Sequence, residues 1–281
     1  MNRELTLIRG EHMKHVVIVG AAGRMGKTLI RCLESGSVPG LKLVGAVDLL
    51  DCPDCGKDAG LAAGAAEIGV KIVSDLAEVA PLCDVVIDFS GHQGTAGNAS
   101  KVAELKKAMV IGTTGLTPDE KKVIDQAAAK IPVVLAPNMS LGMNLLLSLV
   151  QKAAEALKGK GYDIEIIERH HRRKKDAPSG TAIGLGEAAA KGFGWDLKRV
   201  SVHGREGLVG ERPVEQIGFH AVRGGDLIGD HTVLFAADGE CIELSHRATS
   251  REALALGALR AAVWVTGRKA ALYSMRDVLG V

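Results

Sequence analysis

Residues 14–26 read KHVVIVGAAGRMG, and this stretch decides the fold of the chain. A β-branched run ends at Gly20, glycines recur at positions 23 and 26, and the apolar residues that follow have helical spacing. The pattern predicts a strand, a glycine turn and a helix in succession. Amides at the start of such a helix can bind a pyrophosphate group.

An acidic residue supports nucleotide binding at this turn. Asp48 ends the next predicted strand, where a carboxylate can accept hydrogen bonds from an adenine ribose. The spacing is G-x-x-G-x-x-G rather than G-x-G-x-x-G, so the glycines alone could also form a purely structural turn. We favour a dinucleotide site, which is predicted to comprise Gly20, Ala21, Ala22, Gly23, Arg24, Met25 and Asp48.

Strands and helices alternate in the first half of the chain, which predicts a parallel, doubly wound α/β sheet of the Rossmann type. Thr117, Pro118 and Glu120 predict a capped helix start between two of these strands. We expect a dinucleotide-binding domain over 14–140, completed by 250–281. The strands are predicted at 15–19, 41–47, 70–73, 84–89, 109–111 and 133–136.

The pattern changes after Asn138. A long helix is predicted over 141–157, a strand over 163–168 and a further helix starting near Ser179. Three closely spaced runs at 216–222, 231–236 and 241–248 predict antiparallel hairpins. We expect a smaller α+β domain with a mixed sheet over 141–249. Residues 1–13 are predicted to be a flexible extension.

Composition argues against several classes of protein. The formal net charge is +2 and aromatic residues make up 3% of 281 residues, which disfavours nucleic-acid binding. The longest apolar run, at 141–150, is too short to span a bilayer. Five scattered cysteines without a recognisable signal peptide predict a cytoplasmic protein. Cys52 and Cys55 could be half of a zinc site or a redox pair, but we favour a surface loop with incidental thiols.

A basic stretch precedes the helix that is predicted to start near Ser179. Residues 168–181 read ERHHRRKKDAPSGT. Charge runs are usually solvated, but this one ends where helix amides can add to the cations in binding a carboxylate. Two adjacent histidines could ligate zinc, yet no accompanying ligand pattern exists and we predict no metal site. The histidines outside this stretch are interpreted as packing or surface residues.

Several stretches together resemble the 4-hydroxy-tetrahydrodipicolinate reductase family, historically the dihydrodipicolinate reductases. The resemblance runs from about Lys14 to Val281, and HH-x-x-K followed by DAPSGTA at 176–182 is its most specific part. The other matching stretches are GAAGRMG at 20–26, DFS at 88–90, GTTG at 112–115, APNMS at 136–140 and MRDVL at 275–279.

The resemblance implies that a reduced pyridine nucleotide reduces a cyclic conjugated imine bearing two carboxylates, in diaminopimelate and lysine biosynthesis. Hydride addition leaves an enamine that needs a proton near neutral pH, a task that suits histidine. The resemblance assigns His170 as proton donor and Lys174 as its cationic partner. It implies that the substrate carboxylate is held by His171, Ser179, Gly180 and Thr181.

The resemblance also implies the nicotinamide-side contacts and a homotetramer. Those contacts are Gly112, Thr113, Thr114, Ala136, Pro137, Asn138 and Met139. Relatives that use NADPH often carry a basic residue after the acidic one, whereas Leu49, Leu50 and Asp51 follow Asp48 here. We therefore expect NADH to be preferred over NADPH.

Two other functions remain open from the sequence. One is a dehydrogenase of another small dicarboxylate, such as aspartate. The other is a nucleotide-sensing binding protein without catalysis. The dense basic loop favours the reductase over the first, and the combination of an acid, a cation and helix amides disfavours the second.

Overall fold

A computed structural model describes residues 13–281, so the predicted flexible extension lies, apart from Met13, outside the described residues. The chain divides into two compact units. The first runs to Ala136 and includes Ala255–Ser274; the second comprises Pro137–Leu254 and Met275–Val281. Residues 137–140, 250–254 and 275–281 are thus grouped with the second unit, whereas the sequence prediction put them in a first domain over 14–140 and 250–281.

The first unit is built on seven parallel strands. Their order is β12-β6-β5-β4-β1-β2-β3. Chain order reverses between β1 and β4, the position where doubly wound sheets bind nucleotides. The predicted doubly wound sheet is confirmed. The strands are β1 (Lys14–Val19), β2 (Leu41–Val47), β3 (Ile72–Val73), β4 (Val85–Asp88), β5 (Ala108–Ile111), β6 (Pro132–Leu135) and β12 (Ala271–Tyr273).

The central strands of this sheet are apolar except for Asp88 at the end of β4, because they are buried on both faces. Helices cover them, and the core joins strand residues such as Val17 and Met109 to helix residues such as Val102 and Ile124. The predicted capping box is confirmed: Thr117 and Glu120 exchange hydrogen bonds. The helices are α1 (Arg24–Glu34), α2 (Ala59–Ala62), α3 (Leu76–Val79), α4 (His92–Glu104), α5 (Pro118–Ala128) and, mostly in this unit, α9 (Glu252–Val265).

The second unit contains a five-stranded mixed sheet in the order β11-β10-β7-β9-β8. Helices α6 and α7 supply much of its core. Among residues 13–281, no helix is long and apolar enough to cross a membrane. The elements are α6 (Leu141–Leu157), β7 (Asp163–His170), α7 (Gly180–Phe193), α8 (Leu197–Val200), β8 (Ser201–His203), β9 (Ile217–Arg223), β10 (Gly229–Ala237), β11 (Glu240–Ala248) and α10 (Met275–Leu279).

One of the predicted hairpins is wrong. β10 and β11 form an antiparallel hairpin as expected, but β9 pairs in parallel with β7 and with β8. β7 therefore lies between β9 and β10, and it pairs antiparallel with β10. Short connections predicted neighbouring strands, but a central strand from earlier in the chain takes the position between them.

Candidate active site

In the glycine turn of the first unit, Gly20 and Gly26 have no room for a side chain. Gly20 has a φ of +80°, and a Cβ there would lie 2.7 Å from the Phe89 carbonyl oxygen. A Cβ at Gly26 would lie 2.1 Å from the Gly20 carbonyl oxygen, so the helix can pack against the turn only with glycine. α1 begins after Gly23 without a side-chain cap. Its first-turn amides and helix dipole therefore fit a bound pyrophosphate.

Asp48 follows β2 and contacts this turn directly. Its Oδ2 accepts a hydrogen bond from the Ala22 amide at 2.8 Å, and its Oδ1 accepts one from the Leu49 amide at 2.8 Å. The structure thus brings the predicted acidic residue and the glycine turn together. A nucleotide with its phosphates at α1 and its ribose at Asp48 is consistent with this arrangement.

A buried carboxylate organises the ends of β4 and β5. Asp88 has no exposed surface, and its carboxylate accepts hydrogen bonds from Ser90, Thr95, Asn98 and Thr113. The Thr113 hydroxyl lies 3.1 Å from Asp88 Oδ1. This network fixes a threonine that the resemblance places on the nicotinamide side. The sequence analysis did not foresee it.

The other predicted nicotinamide-side residues of this unit lie near Thr113. The Gly112 amide donates to the Asp88 carbonyl oxygen at 2.9 Å, and the Ala136 amide donates to the Ile111 carbonyl oxygen at 3.1 Å. Both therefore lie at the carboxyl ends of adjacent parallel strands. Thr114 is exposed.

In the second unit, β7 ends in two buried polar residues. Glu168 has no exposed surface and His170 is 8% exposed. His170 Nδ1 lies 2.5 Å from Glu168 Oε2, and Arg223 forms a bidentate ion pair with Glu168, with both N–O distances 2.7 Å. Burial lowers the pKa of His170, and the hydrogen bond and charge of Glu168 offset this only in part.

The start of α7 lies beside this pair. The Ser179 hydroxyl caps the helix by accepting from the Ala182 amide, and the Ser179 amide donates to Glu168 at 3.0 Å. Gly180 has open space where a side chain would be. The Asn138 amide group donates to the Thr181 hydroxyl at 3.3 Å. A helix N-terminus with free first-turn amides and open space beside them can bind an anion.

The basic loop between β7 and α7 supplies cations. Lys174 pairs with Asp176 at 2.8 Å, and the lysine is the more buried partner. A hydrogen bond from Lys174 lowers the pKa of Asp176. His171 Nδ1 is buried and makes no hydrogen bond within the described residues. The loop therefore presents a cation and an unpartnered imidazole nitrogen near the histidine on β7.

Two histidines interpreted as packing residues belong to this region. His231 and His246 are cross-strand partners on β10 and β11. His231 Nε2 lies 3.1 Å from the Ser179 hydroxyl, and His246 Nε2 lies 3.2 Å from the hydroxyl of Ser140, the residue that caps α6. Burial lowers the pKa of His231 to about 4. Its ring centroid lies 5.0 Å from that of His170.

The remaining candidate residues are less informative. Pro137 is exposed and Met139 is buried at 1% exposure. Cys52 and Cys55 are partly exposed thiols that are not linked. Within residues 13–281, no group of three His, Cys, Asp or Glu side chains is arranged to hold a metal ion.

A doubly wound sheet with a glycine turn, joined to a unit that carries a buried histidine beside a helix N-terminus, defines a pyridine-nucleotide-dependent oxidoreductase. Family profiles described as the N-terminus and the C-terminus of dihydrodipicolinate reductase match residues 14–139 and 142–279. The chain therefore belongs to the dihydrodipicolinate reductase family.

Individual relatives agree with this assignment. The 4-hydroxy-tetrahydrodipicolinate reductase of Anaeromyxobacter dehalogenans is 49% identical over 269 residues, which are 96% of this chain and 98% of the relative. A protein of the same name from another Anaeromyxobacter species is 51% identical over the same shares of both chains.

Solved structures show the same fold. A dipicolinate-bound dihydrodipicolinate reductase from a Paenisporosarcina species matches with a TM-score of 0.74 and 24% identity, over 94% of this chain and 99% of that one. An amine dehydrogenase from Mycobacterium smegmatis matches with a TM-score of 0.63 and 12% identity, over 95% and 96% of the two chains.

Proposed function

We propose that this protein reduces 4-hydroxy-tetrahydrodipicolinate to tetrahydrodipicolinate with a reduced pyridine nucleotide, as a step of diaminopimelate and lysine biosynthesis. The observation that carries the proposal is the second unit's pairing of a buried histidine, His170, with the helix N-terminus at Gly180. A proton donor beside a carboxylate receptor suits a dicarboxylate that accepts a hydride and then a proton. The reductase names of the relatives support the same reaction.

The first unit binds the nucleotide in this proposal. The residues from Gly20 to Met25 hold the pyrophosphate through backbone amides, and Asp48 accepts hydrogen bonds from the adenine ribose. The proposed nicotinamide-side contacts are Gly112, Thr113, Thr114, Ala136, Pro137, Asn138 and Met139. The bound nucleotide supplies the hydride.

The second unit binds the substrate. Amides of Gly180 and Thr181 hold a carboxylate, with Ser179 capping the same helix end. His171 donates a further hydrogen bond, and Lys174 supplies the positive charge that stabilises electron density as it moves toward the ring nitrogen.

His170 then completes the reaction. The substrate first loses its 4-hydroxyl group together with a ring proton as water, which gives the conjugated imine. Hydride addition to that imine leaves an enamine, whose electron pair takes a proton from His170. One N–H bond of the imidazolium breaks as the new C–H bond forms, and solvent returns the proton to His170. A histidine suits this step because its proton affinity lies close to neutral pH.

NADH is the proposed preferred cofactor. The three residues after Asp48 supply no cation, and both Lys27 at the start of α1 and Lys57 are already paired with Asp54. Asp54 lies 2.7 Å from Lys27 and 2.9 Å from Lys57, and their hydrogen bonds lower the pKa of Asp54 to about 2. A 2′-phosphate would compete with Asp54 for both cations.

The proposal extends to assembly and location. The mixed sheet ends in β11, whose exposed residues include Ile242, and such an edge suits pairing in a homotetramer. Sedimentation equilibrium of the purified protein tests the tetramer. Cell fractionation tests the proposed cytoplasmic location.

The reaction is tested by following the loss of reduced-nicotinamide absorbance while pyruvate and aspartate semialdehyde are condensed in the cuvette by the preceding synthase. Parallel runs with NADH and NADPH measure the cofactor preference. We expect rapid oxidation that depends on the synthase. Nucleotide binding without such turnover would contradict the proposal. The alternative, a dehydrogenase of another small dicarboxylate, would then be the function to test.

A further inference from the structure

The end of β7 breaks the usual rule for a core-facing strand. Burial alternates along β7, and Ile164 and Ile166 are followed on the same buried face by Glu168 and His170. An ionised carboxylate at that depth is costly unless it is paired and fully hydrogen-bonded. The partners of Glu168 therefore indicate what it does.

Each oxygen of Glu168 has two hydrogen-bond donors. Oε2 accepts from His170 Nδ1 at 2.5 Å and from one Arg223 nitrogen at 2.7 Å. Oε1 accepts from the Ser179 amide at 3.0 Å and from the second Arg223 nitrogen at 2.7 Å. Arg223 also donates to the Asp176 carbonyl oxygen at 2.7 Å. One carboxylate thus connects the proposed proton donor to the helix end that receives the substrate.

The charge state of Glu168 decides which nitrogen of His170 carries a proton. Burial alone raises the pKa of Glu168, but hydrogen bonds from Arg223 and His170 outweigh it and hold the pKa below its ordinary range. An ionised carboxylate only accepts hydrogen bonds, so His170 Nδ1 must carry a hydrogen. Nε2 is then the nitrogen that gains and loses a proton. Nε2 faces Gly229, and a Cβ added at that glycine would lie only 3.2 Å from it.

We propose that Glu168, held by Arg223, is the positioning residue of the proton donor, fixing His170 in the tautomer and orientation that make Nε2 its reactive nitrogen. The inference rests on the proposed function, because it assigns His170 the donation of a proton. Glu168 and Arg223 do not touch the substrate in this proposal. They act through His170 and through the Ser179 amide.

Four titratable or charged groups face His170. They are Glu168 on β7, Lys174 in the following loop, Arg223 on β9 and His231 on β10. Lys174 and Arg223 lower the pKa of His170, and Glu168 alone among the four raises it appreciably. Removing the Glu168 charge therefore lowers the pKa of His170 further. Because the acid must be protonated to work, activity then falls at a lower pH.

The test uses Glu168→Gln in the full-length protein with substrate generated in the cuvette. An amide can donate to Nδ1 and so favour the wrong tautomer, for which we expect kcat to fall about 100-fold while KM for NADH stays within about threefold. The alkaline limb of the kcat profile should move to lower pH. Nitrogen NMR of ¹⁵N-histidine-labelled protein should show a hydrogen on His170 Nδ1 in the wild type and its loss in the variant.

Two further variants separate positioning from folding. Arg223→Lys keeps the charge without the two-pronged contact, and we expect a loss of about tenfold in kcat with a smaller shift of the pH profile. Glu165→Gln is the matched control: Glu165 lies on the opposite face of β7 and pairs with Arg205 and Arg212. We expect its kcat to stay within about twofold of the wild type and its pH profile to be unchanged. The substituted side chain lies on the face of β7 opposite His170.

The outcomes distinguish the inference from the proposed function. A Glu168→Gln protein with wild-type tautomer and pH profile overturns the positioning role while the reductase function stands. If that variant does not fold, an unchanged pH profile in Arg223→Lys overturns it instead. A wild type that oxidises neither NADH nor NADPH contradicts the proposed function, and the NMR spectrum then still tests whether Glu168 sets the tautomer.

Discussion

The N-termini of α1 and α7 both leave first-turn amides for an anion, but they are built differently. α1 starts at a glycine turn with no side-chain cap, and Gly20 and Gly26 clear the space around it. α7 starts at Ser179, whose amide and hydroxyl contact Glu168 and His231. The first helix end depends mainly on the close packing that its glycines allow, whereas the second depends on a network of side chains. The two should therefore fail in different ways when mutated.

The largest effect is expected at the side-chain site. Lys174→Ala removes the cation proposed to stabilise the transition state, and turnover should fall by about 100-fold or more. NADH affinity, measured by fluorescence titration, should be nearly unchanged because Lys174 is not among the residues proposed to contact the nucleotide. Lys175→Ala, which removes an exposed neighbouring charge, is the control. Near-normal turnover of Lys174→Ala would remove Lys174 from the mechanism.

A single methyl group should disable the shape-based site. Gly26→Ala puts a Cβ 2.1 Å from the Gly20 carbonyl oxygen, so the turn must shift. We expect unfolding free energy to fall by about 1–3 kcal/mol and NADH affinity to fall about tenfold or more. Gly97→Ala is the control, because nothing lies within 4 Å of a Cβ on that exposed helix position, and it should stabilise the protein by about 0.5–1 kcal/mol. Equal behaviour of the two variants would refute the steric account.

The histidine behind α7 should make stability depend on pH. His231 has its pKa lowered from 6.5 to about 4 by burial, so the unfolded chain binds its proton more readily than the folded one. Stability present above pH 6.5 is therefore lost as the pH falls toward 4. His231→Gln should reduce that loss by about 1–3 kcal/mol, seen as a shallower fall of Tm between pH 6.5 and 4.5. Parallel Tm curves for wild type and variant would show that His231 is not the group involved.

The smallest effect tests whether Asp54 neutralises the two lysines near the start of α1. Asp54→Asn releases Lys27, in the first turn of α1, and Lys57 from their ion pairs. Catalytic efficiency with NADPH should rise about two- to fivefold relative to NADH, as expected for an exposed charge contact. Glu34→Gln, which removes an exposed carboxylate at the other end of α1, provides a control that leaves both ion pairs in place. An unchanged ratio in Asp54→Asn would mean that neither lysine can reach a 2′-phosphate.

Local patterns in the sequence predicted much of this structure. The helix predicted over 141–157 is observed as Leu141–Leu157, and the capping box at Thr117 is confirmed. Both depend on residues within a few positions of each other, so spacing is sufficient evidence. The doubly wound sheet was predictable for the same reason, because its strands and helices alternate along the chain.

What sequence reasoning missed depends on distant pairs. Arg223 lies 55 residues from Glu168, and the parallel pairing of β9 with β7 that brings them together leaves no local signal. His231 likewise meets Ser179 across 52 residues. The alternation along β7 was the one available sign, since it put Glu168 and His170 in register with Ile164 and Ile166.

The hydrogen bond between Asp48 and the Ala22 amide has a consequence for how fast a nucleotide can associate. It fixes the conformation of the turn before any ligand arrives, so binding need not bear the entropy of ordering that segment. Each carboxylate oxygen accepts one amide hydrogen and keeps about one further lone-pair site. The same side chain can therefore hydrogen-bond the backbone of the turn and still accept hydrogen bonds from both hydroxyl groups of the ribose that we propose for this site. We expect the association rate to be limited by diffusional encounter rather than by rearrangement of the turn.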